Sequence, residues 1–516
     1  MRIADYLDVT AALSPQRELF IDEKERIDYG TAQKLVHAVA HGLVRDPELG
    51  PGAHVGVYSP NCATVSMLQL GINRADCVWV LVHTRNTPET NAKVLAFADT
   101  KLIFFHSAFE PAIEVIRASL PATTKWVCMD RESKFAPFLN TWLEGCWKPF
   151  PASREDPLAF AYIAPTGGTT GPNKTVVQTH RSAEIGVFLV SNMLSMTSDS
   201  RHLVVAPLTH AAGIFALSLI LNGGANVILP GFDLQRVLAV IEKERITHVY
   251  LPSTAVYAML DHPALRNADL SSLRCILVGG SPIAPVRFKQ AVQAFGPILY
   301  EMYGQTESMM ITLKRPGDYV REDGSLDEDV VRATGRAAPF VRAEIMDENG
   351  QPLADGQPGE IALLSSMTMQ GYYKMPKETE DVSRFGWHHT GDVGIRDERG
   401  YITIIDRLRD VIISGGLNIY PSEIEYVISE MDEVLDCSVI GVPDEKWGES
   451  VKAVIQLKPG RTLQESAVID YCKPKLGSFK VPRSVEFRSE LPRSPVGKIL
   501  KREIRKKYWE GHWRAV

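Results

Sequence analysis

THVYLPSTAVYAMLDHPALRNADLSSLRCILVGG, residues 247–280, contains two short apolar, β-branched runs with an amphipathic segment of helical length between them. The runs THVYLP (247–252) and RCILVGG (274–280) end in proline or glycine, as buried strands do where a turn follows. Strand, helix and strand in succession form the repeating unit of parallel sheets. The stretch therefore predicts a βα unit of an α/β protein.

The same alternation extends from about residue 30 to about residue 300. Further runs share the length and composition of buried strands: AHVGVYS (53–59), CVWVLV (77–82), KLIFFH (101–106), RHLVVAP (201–207) and ANVILP (225–230). Near residue 340 the pattern changes to two strands joined by turn-rich polar sequence, VRAEIMDENGQPLADGQPGEIALLS (341–365). We therefore predict an α/β fold of βα-wound sheets with a small antiparallel, barrel-like region.

Two domains are expected, because 516 residues exceed what one hydrophobic core usually organises. Beyond IDRLRD (405–410) the pattern becomes helix, strand, strand, helix, strand and helix over about a hundred residues. We predict a large N-terminal domain over residues 1–406 and a small, mobile α+β lid domain over residues 407–516. A large domain with a small lid suggests a cleft between them.

Net charge, the length of apolar runs and the cysteine pattern argue against a nucleic-acid-binding, membrane-spanning or disulfide-rich protein. A net charge of −6 gives no reason to expect nucleic-acid binding, and the apolar runs are too short to span a membrane. The N-terminus has no secretory-signal pattern, and seven scattered cysteines without a CxxC pair argue against a disulfide framework. We expect a reduced, cytoplasmic location. The sequence leaves the oligomeric state open, a homodimer included.

PTGGTTGPNKT, residues 165–175, is the first candidate ligand site. Gly168, Lys174 and Thr175 have the spacing of a Walker phosphate loop, but Asn173 stands where that loop requires glycine. A Walker loop also leads into a helix, whereas the β-branched flanks here predict a hairpin. An ordinary polar turn is the other alternative. Because glycine N–H groups, threonine hydroxyls and a lysine exceed what a turn needs, we favour a phosphate-binding loop.

Five ordered motifs resemble those of the adenylate-forming enzymes, which include acyl-CoA synthetases, luciferases and peptide-synthetase adenylation domains. They are PTGGTTGPNKT (165–175), YGQTES (303–308), GWHHTGD (386–392), DRLRDVIISGGLNIYPSEIE (406–425) and PVGKILK (495–501). The resemblance runs from about residue 20 to the end and is closest to free-standing acyl- or aryl-CoA ligases. It implies activation of a carboxylic acid by ATP as an acyl-adenylate, then transfer of the acyl group to the thiol of coenzyme A.

The resemblance also implies roles for individual residues. Lys498, Thr306 and Glu307 are assigned to catalysis of adenylation, with His210 at the position that gates the pantetheine channel. Glu307 and Thr170 are assigned to Mg²⁺, a hard cation that prefers carboxylate and phosphate oxygens. ATP and coenzyme A are expected to contact Thr166, Gly167, Gly168, Thr169, Thr170, Gly171, Lys174, Gly280, Ser281, Tyr303, Gly304, Gln305, Asp392, Arg407, Gly415, Gly416 and Lys498.

Some of these residues have a physical reason for their role. Tyr303 offers an aromatic face for adenine, and Asp392 offers a carboxylate for both ribose hydroxyls. Members of the family rotate the C-terminal domain between the two half-reactions, and the resemblance makes Arg409 the hinge. After this rotation Gly415 and Gly416 would line the channel for the pantetheine arm.

The acid is expected to bind among small and apolar residues. The resemblance assigns to this pocket His210, Ala211, Gly213, Ile214, Phe215, Ser253, Tyr257, Gly279, Met302, Met309 and Met310. No aspartate is evident for an ammonium group and no arginine for a second carboxylate, so we predict an apolar or aromatic acid. Aryl, medium-chain and polycyclic acids are not distinguished.

Coenzyme A is the expected thiol, because the chain ends 18 residues after Lys498 and no carrier or reductase domain follows. A free-standing ligase that loads a carrier protein is the alternative, since its thiol is also a pantetheine. A non-catalytic ATP-binding protein is a further alternative. Its only support is the departure at Asn173 and Thr175, where relatives usually have proline and glycine.

Overall fold

The structure is a computed structural model that describes residues 1–152, 156–166, 174–209, 211–477, 479–493 and 499–510. Within these ranges the chain divides into two compact units. The larger unit holds the described residues up to 342 together with Leu364–Asp381, and the smaller unit holds Ala343–Leu363 and the described residues from 382 onward. The domain boundary near residue 406 stays a prediction.

The strands are short and rich in valine, isoleucine and leucine, as expected of sheets covered on both faces. In chain order they are β1 (Glu18–Ile21), β2 (Arg26–Asp28), β3 (His54–Tyr58), β4 (Val78–Leu81), β5 (Leu102–Phe105), β6 (Lys125–Cys128), β7 (Phe160–Pro165), β8 (Thr175–Thr179), β9 (Arg201–Val204), β10 (Ala225–Ile228), β11 (His248–Leu251), β12 (Cys275–Gly279), β13 (Leu299–Gln305), β14 (Met309–Lys314), β15 (Gly335–Ala337), β16 (Val341–Met346), β17 (Gly359–Ser365), β18 (Gly371–Tyr372), β19 (His388–Arg396), β20 (Tyr401–Arg407), β21 (Ile412–Ser414), β22 (Leu417–Ile419), β23 (Val434–Asp444), β24 (Gly448–Leu457) and β25 (Ser484–Phe487).

Five of the described α-helices begin at a residue whose side chain accepts a free backbone N–H group. At the start of α2, for example, the Asp28 carboxylate accepts the Thr31 N–H at 2.7 Å. In chain order the helices are α1 (Ile3–Leu13), α2 (Tyr29–Val44), α3 (Ala63–Arg74), α4 (Pro88–Phe97), α5 (Glu110–Ser119), α6 (Leu139–Trp142), α7 (His180–Met193), α8 (Ala211–Ser218), α9 (Leu234–Lys243), α10 (Ser253–Asp261), α11 (Pro285–Phe295), α12 (Pro316–Tyr319), α13 (Glu328–Arg332), α14 (Pro376–Val382), α15 (Pro421–Ser429), α16 (Glu465–Leu476) and α17 (Lys501–Trp509).

The described part of the larger unit contains two mixed sheets. One has the order β2-β1-β10-β9-β11-β12-β13-β14-β15 and is parallel from β1 to β13. The other has the order β6-β5-β3-β4-β7-β8-β18 and is parallel from β6 to β7. The predicted α/β class is confirmed, and the first quoted stretch forms β11, α10 and β12 with its strands paired in parallel.

Each sheet changes from parallel to antiparallel at a hairpin that carries a candidate motif. These hairpins are β7–β8, which flanks the phosphate loop, and β13–β14, which contains YGQTES. The two sheets share one hydrophobic core, with Val57 of β3, Leu68 of α3 and Leu277 of β12 all in one buried cluster. Both hairpins therefore extend from the same packed scaffold.

The two strands predicted over residues 341–365 are β16 and β17, which are neighbours in one sheet. β17 pairs with β19 and β19 pairs with β20, both antiparallel. The β21–β22 hairpin, which the sequence pattern did not predict, comes next. From Pro421 onward the chain forms α15, β23, β24, α16, β25 and α17, in the predicted order. Ile424, Val439, Ile455 and Cys472 belong to the core of this last part. In the described residues of both units, every helix is too short or too polar to cross a bilayer.

Candidate active site

The segment PTGGTTGPNKT connects two antiparallel strands. β7 and β8 pair up to Pro165 opposite Thr175, and the Thr166 N–H donates to the Lys174 carbonyl at 2.8 Å. The predicted hairpin is confirmed, and the strand–loop–helix order of a Walker loop is excluded, because β8 follows directly. The predicted contacts Gly167, Gly168, Thr169, Thr170 and Gly171 lie outside the described residues.

Lys174 points its cation at an aromatic ring that the sequence did not single out. Its Nζ lies 4.7 Å from the ring centroid of Tyr372, within the range of a cation–π interaction. Tyr372 belongs to β18 and pairs with Val176 of β8, two residues beyond the lysine. The short strand β18 therefore extends the phosphate hairpin and supplies a side chain to it.

The YGQTES motif forms the turn of the β13–β14 hairpin, with Gln305 opposite Met309. A Cβ at Gly304 would lie 1.8 Å from the Met309 carbonyl oxygen, so no side chain fits there. Met309 itself has a φ of +55°, in the left-handed region. Gly304, a predicted nucleotide contact, is thus required by closure of the hairpin itself.

The tip of this hairpin is held by hydrogen bonds from two neighbouring segments. Gln178 of β8 is fully buried, and its Nε2 donates to the Thr306 carbonyl at 2.9 Å. The Met369 N–H donates to the Glu307 carbonyl at 2.6 Å. The backbone of Thr306 and Glu307 is fixed by these bonds, while the Thr306 side chain stays exposed.

The Glu307 carboxylate is held as well. The Tyr372 hydroxyl donates to Glu307 Oε1 at 2.8 Å. Burial, and then the charge of the Glu307 carboxylate, raise the pKa of Tyr372 above its ordinary value, so the phenol stays protonated and remains a donor. Tyr372 therefore contacts both a predicted phosphate ligand, Lys174, and the predicted metal ligand.

Glu307 fits the Mg²⁺ that the family implies. Its side chain is half-buried and offers a hard carboxylate oxygen. Among the described residues, no three His, Cys, Asp or Glu side chains gather into a metal site. Of the two predicted metal ligands the described residues include only Glu307, and one carboxylate together with phosphate and water oxygens is the usual environment of Mg²⁺ in nucleotide enzymes.

The predicted residues after β12 lie at the carboxyl end of the parallel sheet, where ligands of α/β proteins bind. Gly280 has a φ of +82°, and a Cβ at Gly279 would lie 3.1 Å from the Tyr250 ring. Ser281 Oγ lies 2.8 Å from Ser253 Oγ, so two separately predicted positions are brought together. Both glycines allow the close packing that this requires.

The candidate acyl-pocket residues of α8 pack tightly against the loop before that helix. A Cβ at Gly213 would lie 2.2 Å from the Leu208 carbonyl oxygen, and the buried Phe215 ring stacks on Tyr250 with centroids 5.0 Å apart. The other predicted residues are distributed as follows: Met309 and Met310 are buried, Ala211, Ile214, Met302 and Tyr257 are half-buried, and His210 lies outside the described residues. Their role in binding the acid stays a prediction.

Asp392 and Arg407 are neighbours in the smaller unit, since they pair across β19 and β20. Arg407 Nε lies 3.6 Å from Asp392 Oδ1, with the aspartate side chain 10% exposed and the arginine side chain 48% exposed. Glu360, which the sequence did not single out, holds the turn before Asp392. It accepts the Gly391 N–H at 3.0 Å and contacts His389 Nδ1 at 2.8 Å.

Gly415 and Gly416 form the two-residue turn between β21 and β22. Their φ angles are +58° and +80°, which only glycine adopts readily in a tight hairpin turn. Arg409 lies before β21 in the 3₁₀ turn Leu408–Asp410, and burial, followed by the charge of Arg407, lowers its pKa. The predicted catalytic residue Lys498 lies outside the described residues.

Comparison with known proteins agrees with these motifs. The family described as AMP-binding enzyme matches residues 7–373, and the family described as AMP-binding enzyme C-terminal domain matches residues 423–498. The chain belongs to the AMP-binding enzyme family. The resemblance to adenylate-forming enzymes is thereby confirmed.

Individual relatives of this AMP-binding enzyme match most of its length. A medium/long-chain fatty-acid–CoA ligase of Mycobacterium tuberculosis is 35% identical over 405 residues, which cover 77% of this chain and 68% of the relative. A 3-[(3aS,4S,7aS)-7a-methyl-1,5-dioxo-octahydro-1H-inden-4-yl]propanoyl:CoA ligase of Rhodococcus jostii is 33% identical over 512 residues, covering 92% and 93% of the two chains. The solved structure of an amide bond synthetase from Marinactinospora thermotolerans has a TM-score of 0.88 at 29% identity and covers 98% of this chain and 100% of its own.

Proposed function

We propose that this AMP-binding enzyme is an ATP-dependent acid–CoA ligase that forms an acyl-adenylate and then an acyl-CoA. The observation that carries the proposal is the convergence of Lys174 and Glu307 on Tyr372. A cation for phosphate oxygens and a carboxylate for Mg²⁺ are the groups that phosphoryl chemistry requires close together. Relatives named as acid–CoA ligases support the same reaction.

In the first half-reaction, a carboxylate oxygen of the acid attacks the α-phosphorus of ATP. The bond from this phosphorus to the bridging oxygen breaks, and pyrophosphate leaves with the electron pair. Lys174 binds phosphate oxygens, while the Thr306 hydroxyl and Lys498 stabilise the charge that builds on the α-phosphate. Glu307 would hold Mg²⁺, which supplies further neutralisation of the phosphate charge when bound.

In the second half-reaction, the thiol of coenzyme A attacks the acyl carbon of the adenylate. A carbon–sulfur bond forms, the thiol proton passes to water, the carbon–oxygen bond to the phosphate breaks, and AMP leaves with the electron pair. Asp392 is proposed to hold the ribose hydroxyls and Tyr303 the adenine through both steps. Arg409 is proposed as the hinge between them, and Gly415 with Gly416 as the lining of the pantetheine channel.

The acid is proposed to be apolar or aromatic. The predicted pocket residues that the structure describes are small, apolar or aromatic, and Phe215 and Met310 are almost entirely buried. The names of the two relatives, for a fatty acid and for a fused-ring propanoyl group, support an acid without further charge. Methionine side chains adapt to such irregular shapes.

A panel of carboxylic acids tests the function through pyrophosphate release with and without coenzyme A. We expect at least one apolar acid to release pyrophosphate and to turn over faster when coenzyme A is present. Release without acceleration by coenzyme A would show that the thiol belongs to another acceptor. No release with any acid would refute the proposal.

The Lys498→Ala variant separates the two half-reactions. We expect it to abolish adenylation and to spare thioester formation from a presupplied acyl-adenylate. Lys506→Ala, which removes an exposed lysine of α17, serves as the control and should leave both steps unchanged. Equal loss of both steps in Lys498→Ala would contradict the assigned role.

A further inference from the structure

Tyr372 does more than pack beside the phosphate hairpin. We propose that it is a positioning residue that orients Glu307 for Mg²⁺ through its hydroxyl and holds Lys174 through its ring. This inference rests on the proposed function, because it concerns binding of Mg²⁺ and ATP at the same site. It adds a residue from outside the recognised motifs to the adenylation site.

The Tyr372 hydroxyl is hydrogen-bonded to the Glu307 carboxylate. A glutamate side chain rotates freely at its terminal bond unless something holds it. The Tyr372 hydroxyl holds Glu307 Oε1 at 2.8 Å, and the Met369 N–H holds the backbone of the same residue at 2.6 Å. With both ends fixed, the orientation of the carboxylate is set before a metal binds, which lowers the entropy lost on binding.

The aromatic ring of Tyr372 contacts a second group, the Lys174 ammonium. Lys174 Nζ lies 4.7 Å from the centroid of the Tyr372 ring. This cation–π contact holds the ammonium group in one place, although the lysine side chain is flexible. The ring and the hydroxyl act on different partners. Their contributions are therefore separable, since phenylalanine keeps the ring and loses only the hydroxyl.

Tyr372 is itself held in place by its surroundings. The residue is 7% exposed, its backbone pairs with Val176, and its N–H donates to Thr379 Oγ1 at 2.9 Å. Gly371 before it has a φ of +150°, and a Cβ there would lie 3.0 Å from the Thr379 methyl group. A residue fixed in this way can position its neighbours, because its own side chain has little freedom.

The neighbouring tyrosine supplies a matched control. Tyr373 also donates its hydroxyl to a carboxylate, Asp99 Oδ2 at 2.7 Å, but Asp99 belongs to none of the recognised motifs. Tyr372→Phe and Tyr373→Phe remove the same atom from adjacent residues. A difference between them reports on Glu307 rather than on the loss of a tyrosine hydroxyl.

The test is calorimetric binding of α,β-methylene ATP at increasing Mg²⁺, together with ATP–pyrophosphate exchange. Tyr372→Phe should raise the Mg²⁺ concentration at half-saturation about tenfold, as expected for one hydrogen bond to a charged group, and leave metal-free nucleotide affinity unchanged. Tyr372→Leu should in addition weaken metal-free nucleotide binding, because Lys174 loses the ring. Tyr373→Phe should match the wild type in both measurements.

Two results would overturn the inference. The first is that Tyr372→Phe requires the same Mg²⁺ concentration for half-saturation as Tyr373→Phe. The second is that Tyr372→Phe loses nucleotide affinity equally at every Mg²⁺ concentration, as a merely structural role would give. Pyrophosphate exchange by the wild-type protein separates the ligase assignment from the role of Tyr372. If the wild type exchanges pyrophosphate with an acid and Tyr372→Phe has the same Mg²⁺ dependence, only the role of Tyr372 is refuted. Absence of exchange in the wild type would refute the ligase assignment instead.

Discussion

Gly304→Ala is the substitution with the most direct structural consequence for the site. Glycine at this position lies where β13 turns into β14, and the two residues after Gln305 are the proposed catalytic pair Thr306 and Glu307. The added methyl carbon would stand 1.8 Å from the Met309 carbonyl oxygen and 2.8 Å from its carbonyl carbon. Both neighbours are backbone atoms, so no side-chain rotation relieves the contact.

The size of the effect follows from this geometry. The carbonyl oxygen must move by about 1.2 Å to restore even a 3.0 Å separation. Overpacking of this kind costs about 1–3 kcal/mol of stability, and a displacement of about 1 Å at a catalytic group costs about 10²-fold in rate. We therefore expect a folded variant whose adenylation rate falls about a hundredfold, with a modest loss of thermal stability.

ATP–pyrophosphate exchange with an accepted acid measures the rate, and thermal unfolding measures the stability. Gly317→Ala is the matched control, because a Cβ at Gly317 meets nothing within 4 Å and its φ is not positive. The control should retain both rate and stability. An exchange rate near that of the wild type in Gly304→Ala would refute the argument that the hairpin turn positions Thr306 and Glu307.

Three further outcomes test other parts of the molecule. Lys314→Met should lower the free energy of unfolding in urea by about 3–5 kcal/mol, because Glu301, 2.7 Å from the lysine, would be left as a buried unpaired charge. Adding Glu301→Leu should restore only part of this loss, because the Val331 and Ala333 carbonyls also lose their donor. Asp392→Ala should raise the KM for ATP about tenfold or more, whereas 2′,3′-dideoxy-ATP should serve the variant and the wild type equally poorly. Burial alone would raise the pKa of Glu486, but the Lys507 ammonium at 2.8 Å and neighbouring donors lower it to about 2. Glu486→Gln should therefore lower the melting temperature at neutral pH, and this difference from the wild type should shrink below about pH 4.5 and vanish only below about pH 2.

Much of the fold could be predicted because local pattern decides it. The alternating residues after Lys174 predict a strand rather than a helix, and β8 is that strand. The order of helices and strands after residue 420 follows from hydrophobic period alone. Close contacts between backbone segments could not be predicted in this way, because hydrophobic period does not report them. Gly304 was expected to serve the nucleotide, whereas the structure shows that the Met309 carbonyl already excludes any other residue.

The site residues that the sequence did not predict are those whose contacts are distant in sequence. Tyr372 and Glu307 are 65 positions apart, and Gln178 reaches Thr306 across 128 positions. A tyrosine in GYY or a glutamine in a buried strand has no local signature of a metal or nucleotide site. Only the pairing of β18 with β8, and the packing of both near the second hairpin, gives these side chains their partners.

The hydrogen bond between Thr166 and Lys174 has a consequence for the register of β8. Since the two residues are tied to each other, the intervening sequence begins and ends at the same place on the sheet, and its composition does not set the register of β8. The register of β8, and with it the position of Lys174 beside Tyr372, is therefore decided by the paired residues of β7 and β8 themselves.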